Sequence, residues 1–235
     1  MGDHGRLDQT KSDLGPATCT LNQEVKDLSP FWEIISVVTS CLIAEWVVFA
    51  FVGDSKAVGA IPVALALAFM IFSHYERGET ARDIGFRLDN FWAAVRLLLL
   101  PTIIAAILIL FIGWLIRGSE FALAPLRMRF LTLPFWALFQ QYALQGFINR
   151  RAQLSLGTGI KSIVLVAVLF SLLHSPNPLL MGLTLIGGLL WATAYQRAPN
   201  LFALALSHAF TSLLVALSVS PNLVNGLRVG MKYFR

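Results

Sequence analysis

Six polar side chains stand inside otherwise apolar stretches: Gln140, Gln141 and Gln145 in one run, His174 in the next, and His208 with Ser212 in the last. An imidazole titrates near neutral pH, so a histidine can remove a proton, donate a hydrogen bond or ligate a metal. A glutamine amide donates and accepts hydrogen bonds but cannot take up a proton as a general base. His208 and Ser212 lie four residues apart, so on a helix they share one face. Together these groups can hold a water or a peptide, move a proton and stabilise a developing negative charge. Glu45, within the first apolar run, is either a lone carboxylate reaching for the membrane surface or the one acid available to such a site.

The elements that must position them follow from composition. The chain has 235 residues, 57% of them hydrophobic and 13% charged, against roughly 45–50% and about 25% in soluble domains. One soluble core cannot absorb that surplus, and a bilayer can. Runs of ~20 apolar residues read as membrane-crossing helices. They fall at about 32–52, 58–74, 92–116, 131–148, 161–178, 179–196 and 200–219. The expected fold is all-α: a polytopic membrane bundle of about seven transmembrane helices over 31–220, between a disordered polar tail at 1–30 and a C-terminal tail at 221–235. Pro101 is tolerable as a kink, and Ser175-Pro176-Asn177-Pro178 forces a break between the fifth and sixth runs.

Depth brings the polar residues together. At a rise of ~1.5 Å per residue, counted from Arg150, Lys161 and Arg197, Gln140 lies about 15 Å into the membrane, His174 about 20 Å and His208 about 16 Å. Polar groups near the midplane are costly and usually mark function. The plainer alternative is that they only bond helices to one another. Matched depth on three helices favours one shared site.

The net charge of +5 comes from basic residues scattered at the ends of apolar runs. They read as membrane anchors rather than a nucleic-acid surface. Basic residues gather on the side of the N-terminus, which makes that terminus cytoplasmic under the positive-inside rule. The expected setting is a bacterial inner or cell membrane, with the lipid bilayer as partner. Cys19 and Cys41 read as free thiols. Residues Glu79 to Asp89 form either a short interfacial segment or an ordinary polar loop.

The pattern resembles the CPBP family of intramembrane proteases, which includes the CAAX prenyl proteases and the bacteriocin-processing Abi proteins. That family carries two adjacent glutamates, three residues, an arginine and commonly a glycine; here the stretch is Gln140-Gln141-Tyr142-Ala143-Leu144-Gln145-Gly146. Its second motif stands as Phe170-Ser171-Leu172-Leu173-His174, and its third as His208-Ala209-Phe210-Thr211-Ser212, with serine in place of asparagine or aspartate. Ile84-Gly85-Phe86-Arg87, Gly188 to Trp191 and Asn200 to Ala203 are similar as well, so the likeness covers about 80–217.

The resemblance implies an endopeptidase acting on a peptide or membrane-protein substrate, with no cofactor. It implies that the first glutamate and the second-motif histidine activate a water, and that the third motif stabilises the oxyanion. Both glutamates are glutamine here. His174 then becomes the expected base, with Gln140 and Gln141 positioning water or substrate and His208 with Ser212 facing the oxyanion. One rival is a non-catalytic membrane scaffold or binding protein on the same fold. Another is a haem or metal site on His174 and His208, for which the sequence offers no third ligand.

Overall fold

A computed structural model describes residues 16–52, 56–118, 131–219, 223 and 225–234, and among these the secondary structure is helical without a strand. Seven helices organise the described residues. α1 runs Pro16–Ile43 and continues through a π-helical turn, Ala44–Val48, to Val52. α2 is Lys56–Glu76 and α3 is Phe91–Arg117. α4 begins as Leu133–Gln141, passes through a π-helical stretch, Tyr142–Asn149, and ends as Arg150–Leu156. α5 is Ile160–Leu172, α6 Pro178–Arg197 and α7 Leu201–Ser218.

Each of the seven helices contains or overlaps one of the seven apolar runs, with α1 starting earlier and α4 ending later than the run it matches. Four stretches are long and apolar enough to cross a membrane: Pro30–Phe51, Phe91–Ile116, Pro178–Arg197 and Leu201–Ser218. The protein is therefore an integral membrane protein. α5 is shorter than its apolar run, because Pro176 and Pro178 end the helix after Leu172. Its 13 residues cover about 20 Å, less than the ~30 Å of the hydrocarbon core. His174 therefore stands just past the end of a helix too short to span the hydrocarbon core by itself. At the other end of the chain, helical backbone begins at Pro16, inside the stretch expected as tail, and residues 1–15 lie outside those described.

α5 packs along α6, α7 lies against both α3 and α4, and α1 meets the last segment of α4. The lipid-facing surface is written on α3, where Leu100, Ile104, Ile107 and Phe111 are exposed. The Glu79 to Asp89 segment holds one helical turn, Ala81–Ile84, closed by a capping box between Thr80 and Asp83. Beyond it the loop is bonded to the α6–α7 corner. Leu201 N donates to Gly85 O at 2.9 Å, Tyr195 Oη to Ile84 O at 2.7 Å, and Asn200 Nδ2 to Arg87 O at 2.6 Å. Gly85 is needed there: its φ is +109°, and a Cβ would meet Tyr195 at 3.2 Å. These bonds fix where α7 starts, and thereby where His208 stands two turns later.

The C-terminal segment Gly230–Phe234 packs on the π-helical turn of α1. Gly230 N donates to Ser175 O at 2.8 Å, and Asn177 Nδ2 donates to Arg228 O at 3.2 Å. A Cβ on Gly230 would come 2.7 Å from Glu45 O, at a φ of +57°. Gly230→Val is therefore expected to undock this segment. Limited proteolysis in detergent should cut the variant between 219 and 235 much faster than wild type, with the bundle intact.

Candidate active site

The motif helices meet around one aromatic ring. Phe170, in the last turn of α5, touches His174 edge-on with ring centroids 4.8 Å apart and His208 at 5.8 Å. His174 Nδ1 lies 2.8 Å from Phe170 O. A carbonyl only accepts, so Nδ1 carries the proton and, in the neutral ring, Nε2 keeps the lone pair. The four-residue spacing of the Phe170–His174 motif thus has a local cause. The imidazole satisfies a carbonyl that the end of a helix leaves without its i+4 partner.

His208 is 6% exposed and is held from both sides. Trp191 lies 4.4 Å away, ring to ring, at an interplanar angle of 32°. The indole Nε1 is anchored on Ser207 Oγ at 3.1 Å, and Ser207 pairs with Thr102 of α3 at 2.8 Å. On the α4 side, Gln141, wholly buried, brings Nε2 to 3.2 Å from His208 Nδ1. The amide N–H donates, so Nδ1 accepts and Nε2 carries the proton. The two histidines therefore have complementary free edges: an acceptor on His174 and a donor on His208.

The structure brings Gln141, His174 and His208 together at the junction of α4, α5 and α7. Gln140 is half-buried beside Gln141 and touches neither histidine by a hydrogen bond. Ser212 lies one turn beyond His208, half-buried, with no hydrogen bond among the described residues. Glu45 is placed under the C-terminal segment, with its Oε2 buried and unpartnered. Among the described residues no three His, Cys, Asp or Glu side chains gather as a metal-binding group.

Behind Gln141 runs a chain of amides. Gly159 N, which can only donate, bonds Gln196 Oε1 at 2.8 Å; Gln196 Nε2 bonds Asn149 Oδ1 at 3.0 Å; Asn149 Nδ2 bonds Gln145 Oε1 at 2.7 Å. The direction is set by the backbone N–H, so Gln145 presents its NH₂ as a buried donor, and that Nε2 has no partner. Gln141, Gln145 and Asn149 are spaced by four through the π-helical stretch and share its buried face. Asn149→Leu should strand Gln145 inside the protein, while Gln196 keeps Ser162 Oγ and Gly159 N. The expected loss is about 2 kcal/mol, from buried polar groups without partners, read as an earlier unfolding midpoint in detergent.

Sequence reading missed a charge cluster at the C-terminal end of this helix. Arg151, wholly buried, donates to Glu33 Oε2 at 2.6 Å, Glu79 Oε2 at 2.8 Å and Ser73 Oγ at 3.0 Å. Glu79 also accepts from Arg150 at 2.6 Å and from His74 Nδ1 at 2.6 Å, and Arg77 pairs with Glu33. Burial pushes the Glu79 carboxyl up, but the bonds from His74, Arg150 and Arg151 outweigh it and hold the group down at about 2. Partners 118 positions apart, such as Glu33 and Arg151, leave no periodic signal in the sequence.

A model of the type II CAAX prenyl endopeptidase Rce1-like family matches residues 96–214, half of the chain. The chain belongs to this family. The Rce1-like match includes Gln140, Gln141, His174, His208 and Ser212, and lies within the 80–217 that motif spacing delimits. No curated protein and no solved structure matches the chain. The Rce1-like family is one of CAAX-protease-type membrane endopeptidases, so the bilayer is the protein's environment and an enzyme of that type is the coarse functional class.

Proposed function

We propose that the chain is an intramembrane endopeptidase of the Rce1-like type that cuts a peptide or membrane-protein substrate, with His174 in place of a carboxylate as general base. The observation that carries this is the pair of free imidazole edges: His174 Nδ1 is committed to Phe170 O, and His208 Nδ1 to Gln141 Nε2. Gln140 and Gln141 position the water or the peptide. His174 Nε2 takes a proton from the water as its oxygen bonds the scissile carbonyl carbon. His208 Nε2–H and Ser212 Oγ–H donate to the oxyanion. The C–N bond then breaks, and the proton on His174 passes to the leaving amine.

A non-catalytic scaffold is the second reading, favoured by the replacement of both motif glutamates with glutamine. The test is cleavage in proteoliposomes by wild type, Gln140→Glu and Gln140→Glu/Gln141→Glu. Substrates are an isoprenylated C-terminal peptide and a transmembrane peptide, with products identified by mass spectrometry. Cleavage by wild type supports the enzyme. If all three proteins are inactive on both substrates, the endopeptidase reading gives way to the scaffold.

A further inference from the structure

His174 stands two residues past Leu172, the last residue of α5. There the regular ladder has given way to tighter bonds: His174 N donates to Ser171 O at 2.9 Å and Ser175 N to Leu172 O at 3.0 Å. Its imidazole is bonded only to Phe170 O, within the same turn. The ring's place opposite His208 therefore depends on how the following residues, Ser175 to Asn177, leave the helix.

Asn177 closes that turn and is wholly buried. Its N donates to His174 O at 3.1 Å. Its Oδ1 accepts from Leu180 N at 3.2 Å, which caps α6. A backbone N–H only donates, so this bond fixes which way the amide faces. Nδ2 then points away from α6, and it donates to Arg228 O at 3.2 Å. Serine or aspartate would cap α6 as well. Of the good cap residues only asparagine can cap it and donate to Arg228 at once. The sequence marked this residue only as part of a helix break.

Arg228 belongs to a stretch that is anchored elsewhere. Leu227 packs on the cluster of Ile109 from α3 and Val215 from α7. Phe234 lies against Trp46 of α1, with ring centroids 6.3 Å apart. Gly230 N donates to Ser175 O at 2.8 Å. The turn after His174 is thus gripped on both sides of Pro176, at Ser175 O and at Asn177 Nδ2, by a segment that also rests on α1, α3 and α7.

We propose that Asn177 is a positioning residue for His174, clamping the turn that carries the imidazole to the C-terminal stretch; as a role in cleavage this rests on the endopeptidase reading. Diethyl pyrocarbonate acylates an unprotonated imidazole nitrogen. It is applied at neutral pH to the full chain in detergent, and labelling of His174 is timed by peptide mass spectrometry with His208 as reference. Asn177→Ser keeps the α6 cap and gives up the bond to Arg228. Gly230→Val lifts the same stretch from its Ser175 side without altering the turn. Each should speed labelling of His174 about fivefold, the effect of one hydrogen bond on an opening equilibrium. Each should also lower kcat about 10-fold to 100-fold with KM unchanged, as a misplaced base does. The double variant should behave like the more severe single one, because both break the same clamp. Should Asn177→Ser fail to fold, the labelling and kcat of Gly230→Val decide in the same way. Wild-type labelling of His174 in the variants, a rise in KM with kcat unchanged, or a double variant whose effects multiply would each overturn the proposal. The labelling needs no cleavage, so a wild type that cuts neither peptide overturns the protease reading alone and leaves the rate at His174 to decide this one.

Discussion

Alanine at His174 is expected to abolish cleavage while leaving the protein folded. The side chain makes one hydrogen bond, to a carbonyl at the end of α5, and one edge-on ring contact. Its removal costs the fold little and costs the reaction its only unpaired basic nitrogen at the helix junction. His208→Ala should lower the rate by roughly 10²–10³-fold, the usual effect of losing one oxyanion donor. Gln141→Leu should fall between wild type and His208→Ala, because it removes the bond that fixes which His208 nitrogen carries the proton. Gln140→Glu should raise activity, since Gln140 is half-buried and makes no hydrogen bond among the described residues that a carboxylate would break. All four are measured as initial rates on one substrate in proteoliposomes, with size-exclusion profiles as the folding control. Equal cleavage by wild type and His174→Ala would remove His174 from the role of base even if the protease stands.

The seven helices were legible because each is an apolar run bounded by charge or proline, a signal that lies in consecutive residues. The shared position of Gln141, His174 and His208 was legible from depth alone, since helical rise converts sequence distance to ångströms. Direction around the helix axis was not. Gln140 and Gln141 are neighbours in sequence, and only the packing of α7 on α4 decides that Gln141 is the one facing His208. The π-helical stretch Tyr142–Asn149 was equally hidden. It brings Gln141, Gln145 and Asn149 onto one buried face, while the sequence offered Gln145 only as a polar residue in an apolar run and as the occupant of a motif's arginine position. Arg150 and Arg151 read as surface anchors because arginines at the end of an apolar run usually are. Glu33 and Glu79, which make Arg151 a core residue, are brought to it by tertiary packing that no local pattern encodes.

Arg151 is the position where substitution should damage the fold most. Arg151→Met is nearly as long and far more apolar, so it keeps the packing against Phe147, over whose ring the guanidinium lies at 4.9 Å. What it removes is the cation shared by Glu33 and Glu79. Deleting one member of a buried ion pair costs about 3–5 kcal/mol, because the other charge stays behind without compensation. Arg77 on Glu33 and Arg150 on Glu79 remain, which puts the expected loss at the lower end, about 3 kcal/mol. The exposed Arg82–Asp89 pair is the control, and Arg82→Met should leave the unfolding midpoint nearly unchanged. Acid offers a second reading of the same cluster. Glu79 is held at about 2 in the folded protein, below its ordinary value of 4.5. A depressed carboxyl stabilises the fold fully above the unfolded value and loses that contribution as pH falls through the folded one. Wild type should therefore hold its unfolding midpoint down to about pH 4.5 and lose stability towards pH 2, as far as Glu79 governs it. Arg151→Met takes away two of the lowering influences on Glu79, its hydrogen bond and its charge, so its acid transition should move to higher pH. An Arg151→Met protein with the wild-type midpoint and the wild-type acid transition would mean that Glu33 and Glu79 are held by Arg77, Arg150 and His74 alone.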